Sequence, residues 1–182
     1  TTVQDPNYKR HDEFGINYRL SEFCAAIALG QFETINEKVA MRQKNAELFL
    51  DVIQNCDFLI PQKVAEEYTH SYYTLGLKYD EDKAGCTWQQ FRDKYIEFEG
   101  DNFYAAWSIP YLEPMVTNKK YLARCPEVYQ NVNYSLGLCP TAEKIQPMLM
   151  QFKTNYRDPN VAKRKAHSLL KTIKWYNYRY FQ

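Results

Sequence analysis

The chain has 182 residues, 45% of them hydrophobic, which is enough to bury the core of one or two domains. Its formal net charge of +1 gives no overall electrostatic reason to expect a nucleic acid or an acidic surface as partner. The five cysteines form no Cys-x-x-Cys pair, so we expect reduced thiols and no bound structural zinc or other metal. No apolar run is long enough to cross a bilayer. We therefore expect a soluble, cytoplasmic protein.

The first predicted element is a long helix. Residues 1–16 are polar and irregular, and apolar residues then recur at helical spacing from Ser21, a suitable N-cap, to about Asn55. A helix of this length joins two parts of a larger body or bends near Gly30. Residues 25–30 are rich in alanine and include Gly30, and side chains this small predict a tight packing face.

Two strands and a helix are predicted next. Side chains alternate in character over His70–Asp80, as in a strand. Thr87 and Gln90 form a capping-box pattern that predicts a helix over about 88–98. Asn102–Leu112 has the character of another strand, ended by Pro110.

The rest of the chain predicts short helices, a third strand and a final helix. Residues 113–140 carry turn signals and one or two short helices, while Pro147–Thr154 is a strand or the continuation of a helix that opens at Thr141. Asp158 and Pro159 predict the start of the last helix. Its apolar stripe consists of Ala162, Ala166, Leu169, Ile173 and Tyr176. The fold class is therefore α+β, with a small, mostly antiparallel sheet and packing helices.

The loop before the first helix, GINYRLSE, contains the first candidate site. Gly15 can adopt dihedral angles closed to other residues, Asn17 can both donate and accept hydrogen bonds, and Arg19 offers a planar fork for a carboxylate or phosphate. Such a loop ahead of a helix suits an anionic ligand. On these residues alone, an ordinary loop that caps a helix is an equal alternative.

The same residues carry a family resemblance. The stretch GINYRLSEFCAAIALGQFETINEKVAMRQKNAELF (residues 15–49) resembles the signature of the DegT/DnrJ-type sugar aminotransferases, pyridoxal-phosphate enzymes of fold type I. HSYYTLGLKYD (residues 70–80) and CPTAEKI (residues 139–145) add weaker agreement. The resemblance implies that residues 1–19 are the remnant of a junction with a large domain. It also implies that residues 20–182 are the carboxyl-terminal small domain.

The resemblance also implies roles for four residues. Asn17 would contact the phosphate of the cofactor in the partner subunit of a homodimer, with the small-residue helix near that interface. Tyr18 and Arg19 would shape the substrate pocket. His70 is a further candidate on the substrate side. The alternative is a structural role, in which the His70 ring makes hydrogen bonds with its neighbours at the start of a strand.

Two departures from the family limit these roles. The family's Schiff-base lysine lies ahead of the NYR motif, and nothing in the sixteen residues before Asn17 resembles its context. We therefore assign no catalytic residue and expect pyridoxal phosphate, an amino-acid donor such as glutamate and a nucleotide-linked keto-sugar to belong to the intact enzyme, not to this chain alone. Asn102–Val116 also lacks the histidines of the family's substrate-side stretch, which leaves the sugar open.

The carboxyl-terminal segment supports a rival interpretation. Residues 153–182 contain eight Lys/Arg and one Asp, a local charge of +7 that leaves −6 for the rest. Basic residues interleaved with aromatic ones are typical of nucleic-acid binding. The alternatives are a solvated helix face whose aromatic residues dock onto the domain, or a non-enzymatic dimerisation module. We expect no membrane partner and regard the solvated face as the better interpretation of the segment.

Overall fold

The computed structural model describes residues 19–119, 126–129 and 131–179, and it divides into two compact units. Unit 1 comprises residues up to 22 together with 104–149, and unit 2 comprises 23–103 and 150–182. The division of the chain between residues 19 and 20, which followed from the family resemblance, stays a prediction. Within the described residues, no helix is long and apolar enough to span a membrane.

Of the two alternatives for the predicted long helix, the bent one agrees better with the structure, because two consecutive helices occupy that stretch. Helix α1 spans Glu22–Phe32 and helix α2 spans Ile35–Ile53, with a turn at residues 33–34. At the turn the Thr34 N–H bonds to a carbonyl three residues back instead of four, and the backbone of Thr34 leaves helical geometry at φ −116° and ψ 16°. The break therefore falls beyond Gly30, which stays inside α1.

Strands β1 (Leu59–Pro61), β2 (Leu75–Tyr79) and β4 (Leu149–Phe152) lie side by side in that order. β1 and β2 are antiparallel, with Leu59 opposite Tyr79. The alternation predicted for β2 is confirmed, since its first, third and fifth side chains are buried. No strand was predicted at β1, because three residues ending in a proline are too short to show alternation.

The strand predicted over His70–Asp80 is too long at its start. Residues 70–74 form an irregular turn, in which Tyr72 has a φ of +47°. That left-handed conformation is incompatible with an extended strand. The strand begins only at Leu75.

Three further helices complete unit 2: α3 (Glu81–Ala84), α4 (Trp88–Glu97) and α8 (Pro159–Arg179). The capping box predicted for α4 is confirmed, because the Gln90 N–H donates to Thr87 Oγ1 at 3.3 Å and the Thr87 N–H donates to Gln90 Oε1 at 3.0 Å. The predicted start of α8 is also confirmed.

Unit 1 contains short elements. Its strand β3 covers only Tyr104–Ala105, so the strand predicted over Asn102–Leu112 is largely wrong. Proline lacks a backbone N–H, and Pro110 instead opens a 3₁₀ turn. The helices are α5 (Pro114–Thr117), α6 (Pro126–Tyr129) and α7 (Pro140–Ile145). Helix α7 ends at Ile145, before β4 begins at Leu149. The segment Pro147–Thr154 is therefore not a continuation of the helix but contains a strand, which is shorter than predicted. The predicted α+β class with a small antiparallel sheet is confirmed.

An aromatic core fills unit 2. Phe103 and Phe152 are both buried, with ring centroids 4.6 Å apart. Further ring contacts to Phe103 come from Trp88, Phe91 and Tyr95 of α4, at centroid distances of 6.5, 6.5 and 6.1 Å. Helix α8 closes the core with its predicted stripe, whose members Ala162, Ala166, Leu169 and Ile173 are buried.

One buried amide connects α2 to the segment after β4. Asn45 of α2 is 3% exposed, and its Nδ2 donates to the carbonyls of Thr154 at 2.9 Å and Tyr156 at 2.8 Å. The Thr154 hydroxyl in turn donates to the carbonyl of Tyr72 at 2.5 Å. Both polar groups are satisfied inside the core, as buried polar groups must be.

An ion pair connects α8 to the loop before β3. Lys165 Nζ lies 3.0 Å from Asp101 Oδ1, and the Tyr156 hydroxyl donates to Asp101 Oδ2 at 2.7 Å. Burial by itself would raise the pKa of the Asp101 carboxyl, but the hydrogen bonds from Tyr156 and Lys165 outweigh it and lower that pKa.

We expect Asn45→Ala to lower the free energy of unfolding by about 2–3 kcal/mol, because two carbonyls lose a buried donor. Asn36→Ala, at an exposed position of the same helix, serves as the control and should change it by less than about 0.5 kcal/mol. Urea unfolding of both variants measures the difference. Equal effects would show that the buried amide contributes nothing specific.

We expect Asp101→Asn to destabilise the protein by about 1–2 kcal/mol at pH 7, since a charged hydrogen-bonded pair is lost. The native pKa of Asp101 is lowered, so its contribution is complete above the unfolded value of about 3.9 and disappears as the pH falls through the native pKa. The gap between wild type and variant in urea midpoint should therefore narrow from pH 7 to pH 3. A gap that stays constant, or that exposed Asp51→Asn reproduces, would contradict this account.

Candidate functional site

An open cavity of about 830 Å³ lies in unit 1, between two segments that are distant in sequence. One wall is the stretch 106–110 that follows β3, and the other is α7 with the residues on either side of it. Gln146 joins the walls, because its Nε2 donates to the carbonyls of Ala106 at 3.4 Å and Trp107 at 2.9 Å. Both segments were noted in the sequence, but nothing there placed them together.

The cavity wall is mostly apolar. Trp107 is 49% exposed, and Ile109, Ile145 and Leu149 add aliphatic surface around it. The polar side chains in the lining are Ser108, Cys139, Thr141 and Gln146, and among the described residues none of the lining is charged. Such a cavity suits the apolar face of a ligand with a few hydrogen-bonding groups.

A carboxylate holds the loop that borders the cavity. Glu143 of α7 accepts hydrogen bonds from the N–H of Gly137 at 2.9 Å, from the N–H of Cys139 at 3.4 Å and from the Tyr111 hydroxyl. Gly137 has a φ of +95°, a conformation that favours glycine. The hydrogen bond from Tyr111 lowers the pKa of the Glu143 carboxyl. Partial burial and the same hydrogen bond raise the pKa of Tyr111 to about 12.

A second carboxylate is buried beside the cavity wall. Glu113 is 4% exposed and accepts a hydrogen bond from the hydroxyl of Ser108, which is 7% exposed and lines the cavity. Neither this pair nor the role of Glu143 was predicted from the sequence. The local signal was weak, since a serine and a glutamate five residues apart match no recurring motif.

The structure describes two of the four residues predicted from the family resemblance. Asn17 and Tyr18 lie outside the described residues. Arg19 is exposed and belongs to unit 1, whereas His70 is half-buried and belongs to unit 2. Their functional roles therefore stay predictions.

His70 is part of a hydrogen-bonded turn that α2 holds in place. Its Nδ1 accepts the Tyr72 N–H at 2.8 Å, and its ring stacks on that of Tyr72 with centroids 4.1 Å apart. From α2, Gln43 Nε2 donates to the His70 carbonyl at 3.1 Å, and Arg42 Nη1 donates to the Tyr73 carbonyl at 2.8 Å. A ring that accepts at Nδ1 carries its proton on Nε2, so the outer nitrogen is a donor.

The described residues do not fit a complete pyridoxal-phosphate site. A lysine that forms a Schiff base needs a desolvated pocket to lower its pKa. In the described ranges the buried polar residues are Asn45, Ser108, Glu113, Thr154, Ser168 and Thr172, and no lysine is among them. These ranges also contain no cluster of His, Cys, Asp or Glu that could hold a metal ion.

In a comparison with protein-family models, residues 2–146 match the model described as the DegT/DnrJ/EryC1/StrS aminotransferase family. Among curated proteins, the GDP-perosamine synthase of Vibrio cholerae is 23% identical over 141 residues. That alignment covers 71% of this chain and 36% of the relative. The chain therefore spans little more than a third of the length of this relative.

Solved structures of other proteins resemble this chain in fold. An aminotransferase from Psychrobacter cryohalolentis matches with a TM-score of 0.62 and 16% identity, over 100% of this chain and 45% of that one. PseC of Helicobacter pylori, an aminotransferase involved in the biosynthesis of pseudoaminic acid, matches with a TM-score of 0.59 and 14% identity, over 94% of this chain and 42% of that one. At these identities the likeness concerns the fold.

We expect Glu143→Ala to loosen the loop at the cavity edge, because the N–H groups of Gly137 and Cys139 lose their acceptor. Hydrogen–deuterium exchange of residues 137–139 should become faster, and Glu143→Gln should have a smaller effect because its amide oxygen still accepts. Lys144→Ala, at the exposed neighbouring position, is the control and should leave exchange unchanged. Equal exchange in wild type and Glu143→Ala would show that the carboxylate does not hold the loop.

Proposed function

Because the chain belongs to the DegT/DnrJ/EryC1/StrS aminotransferase family, we propose that it is the carboxyl-terminal portion of a pyridoxal-phosphate-dependent sugar aminotransferase. The family match over residues 2–146 carries this proposal. In the intact enzyme an amino group passes from an amino acid, glutamate in our proposal, to a nucleotide-linked keto-sugar. The name of the curated relative, a GDP-perosamine synthase, supports the sugar class. A solved relative described as a GDP-4-keto-6-deoxymannose-3-dehydratase with a trapped PLP-glutamate geminal diamine supports the cofactor and the donor.

This chain alone does not transaminate in our proposal. The support is the lack of a buried lysine in the described ranges, since an exposed lysine has no environment that would favour its neutral, nucleophilic form. We accordingly assign no catalytic residue to the chain and place the Schiff-base lysine in another part of the intact enzyme.

The chain contributes binding groups instead. We assign Asn17 to the cofactor phosphate of a partner subunit, and Tyr18 and Arg19 to the substrate side. Arg19 is exposed immediately ahead of α1, where a guanidinium is free to meet an anionic substrate. His70 offers its Nε2–H as a donor to a substrate oxygen, because its Nδ1 is occupied in the turn.

We propose that the working form is a homodimer in which helix α1 lies at the interface. Phe23, Ile27, Leu29 and Phe32 of α1 are 75, 51, 63 and 68% exposed. Apolar surface of this extent on one helix is typical of an interaction site. Asn17 lies five residues before α1, so its assigned contact with a second copy requires that copy to approach the same end of the helix.

We also propose that the cavity of unit 1 receives an uncharged part of the substrate, because its lining within the described residues has no charged side chain. The positive charges that bind the phosphate groups of a nucleotide-linked sugar are then supplied by residues outside the cavity lining. Arg19, which belongs to the same unit, is one of them in this proposal. A cytoplasmic location fits the described cysteines, which form no disulfide.

Trapping with borohydride tests the assignment of the cofactor lysine. The chain is incubated with pyridoxal phosphate, its imine absorbance is recorded, the adduct is reduced, and the modified peptides are identified by mass spectrometry. We expect only weak labelling, spread over exposed lysines such as Lys44, Lys63 and Lys144 and equal in a urea-denatured control. Stoichiometric labelling of one lysine, lost on denaturation, would show that the chain contains its own Schiff-base lysine.

A further inference from the structure

The outer face of helix α8 carries a stripe of basic side chains. Its exposed members are Lys163, Arg164, His167, Lys171 and Lys174, and we call them the α8 stripe. Successive members are one, three or four residues apart, which places them on neighbouring positions of one helical face. The sequence of α8 from Pro159 to Arg179 contains no aspartate or glutamate.

The charges of the α8 stripe are not neutralised within the described part of the chain. Lys165 of the same helix provides the contrast, because its Nζ pairs with Asp101 at 3.0 Å and donates to the Glu99 carbonyl at 2.8 Å. The described residues provide no hydrogen bond or ion pair to the side chains of the stripe. A merely solvated helix face commonly interleaves acidic with basic residues, and this one does not.

A cleft of about 660 Å³ runs beside the stripe. One side is formed by α8, through four members of the stripe together with Lys165 and Ser168, and residues 99–100 line the other. Glu99 is the one acidic residue in the described lining, so the cleft is strongly basic overall. Clustered cations along a groove raise the local concentration of anions.

We propose that the α8 stripe binds the phosphate backbone of a nucleic-acid duplex. Lys163 and Lys174 are eleven residues apart, which corresponds to about 16 Å along the helix. A duplex strand places one phosphate per roughly 3.4 Å of its axis, so the stripe faces about five phosphates of one strand. The near-neutral net charge of the whole chain conceals this surface, because the acidic remainder offsets it.

The neighbouring contacts favour a duplex over a single strand. Bases of a single strand stack on exposed aromatic rings. Here the ring of Tyr176 lies 5.8 Å from that of Phe91 while its hydroxyl donates to the Gln90 carbonyl at 3.1 Å. Trp175 is 38% exposed, but its ring lies edge-on to Phe98 at 6.2 Å, and Lys94 Nζ lies 4.3 Å from its ring centroid. Both rings therefore already have packing partners inside unit 2, and only Trp175 keeps a substantial exposed area.

The packing of α8 also argues against an anionic membrane. A helix that lies on a bilayer inserts its apolar face between the lipids. The apolar face of α8 is buried in unit 2, since Ala162 and Leu169 are 0% exposed and Ala166 is 4% exposed. The stripe therefore offers charge without an apolar surface to insert.

Fluorescence anisotropy with a labelled 20-base-pair DNA duplex of arbitrary sequence tests the proposal, using the full chain. Four Lys/Arg contacts predict a slope of about −3.6 in a plot of log affinity against log salt concentration. Affinity should therefore fall roughly 100-fold between 50 and 200 mM salt. The triple variant Lys163→Glu, Lys171→Glu, Lys174→Glu should abolish binding while circular dichroism shows the fold intact.

The matched control is Lys44→Glu, Lys63→Glu, Lys144→Glu, which changes the net charge equally at exposed positions outside the α8 stripe. It should bind within a few-fold of the wild type. The proposal is overturned if wild type does not bind, if both triple variants lose affinity equally, or if salt has no effect. Competition by polyglutamate at equal charge, or binding to phosphatidylserine vesicles lost in the stripe variant, would reassign the surface to an acidic protein or a membrane.

Discussion

Unit 2 depends on the buried side-chain amide of Asn45. Its two hydrogen bonds, to the carbonyls of Thr154 and Tyr156, fix α2 against the segment that leads from β4 into α8. The Thr154 hydroxyl extends the connection to the Tyr72 carbonyl, and thereby to the turn that contains His70. Because a buried amide tolerates few alternative partners, these bonds specify one arrangement of α2, the turn and β4 around the aromatic core.

Helix α1 lies just before α2 in the chain and is packed very differently. Phe49 and Ile53 of α2 are buried, whereas α1 has no buried residue although Phe23, Ile27 and Phe32 are large and apolar. Exposing a large apolar helix face to water is unfavourable, so such a face is typically covered by another protein surface. This contrast between two consecutive helices is the physical support for the proposed second copy at α1. The role proposed for Asn17, a contact with the cofactor of a partner subunit, is the chemical reason to expect that copy there.

The sequence predicted best what depends on local chemistry and single periodicities. The capping box of α4, the Asp158–Pro159 start of α8 and the alternation of Leu75, Leu77 and Tyr79 are all confirmed. The position of the break between α1 and α2 was missed, because Thr34 disturbs the helix through backbone dihedral angles that no residue type there demands. The cavity of unit 1 could not be predicted either, since it forms where two stretches that are distant in sequence, 106–110 and 139–149, meet, and Glu143 acts through partners outside its own helix.

Static light scattering of the chain, compared with the double variant Phe23→Ser, Ile27→Ser, tests the central claim that α1 is an interface completed by a second copy. The account predicts a mass of twice 21.7 kDa for the wild type and 21.7 kDa for the α1 variant. The control, Tyr68→Ser and Leu136→Ser, alters exposed large side chains elsewhere and should remain dimeric. A monomeric wild type, or a dimer that survives the α1 changes, would contradict the account.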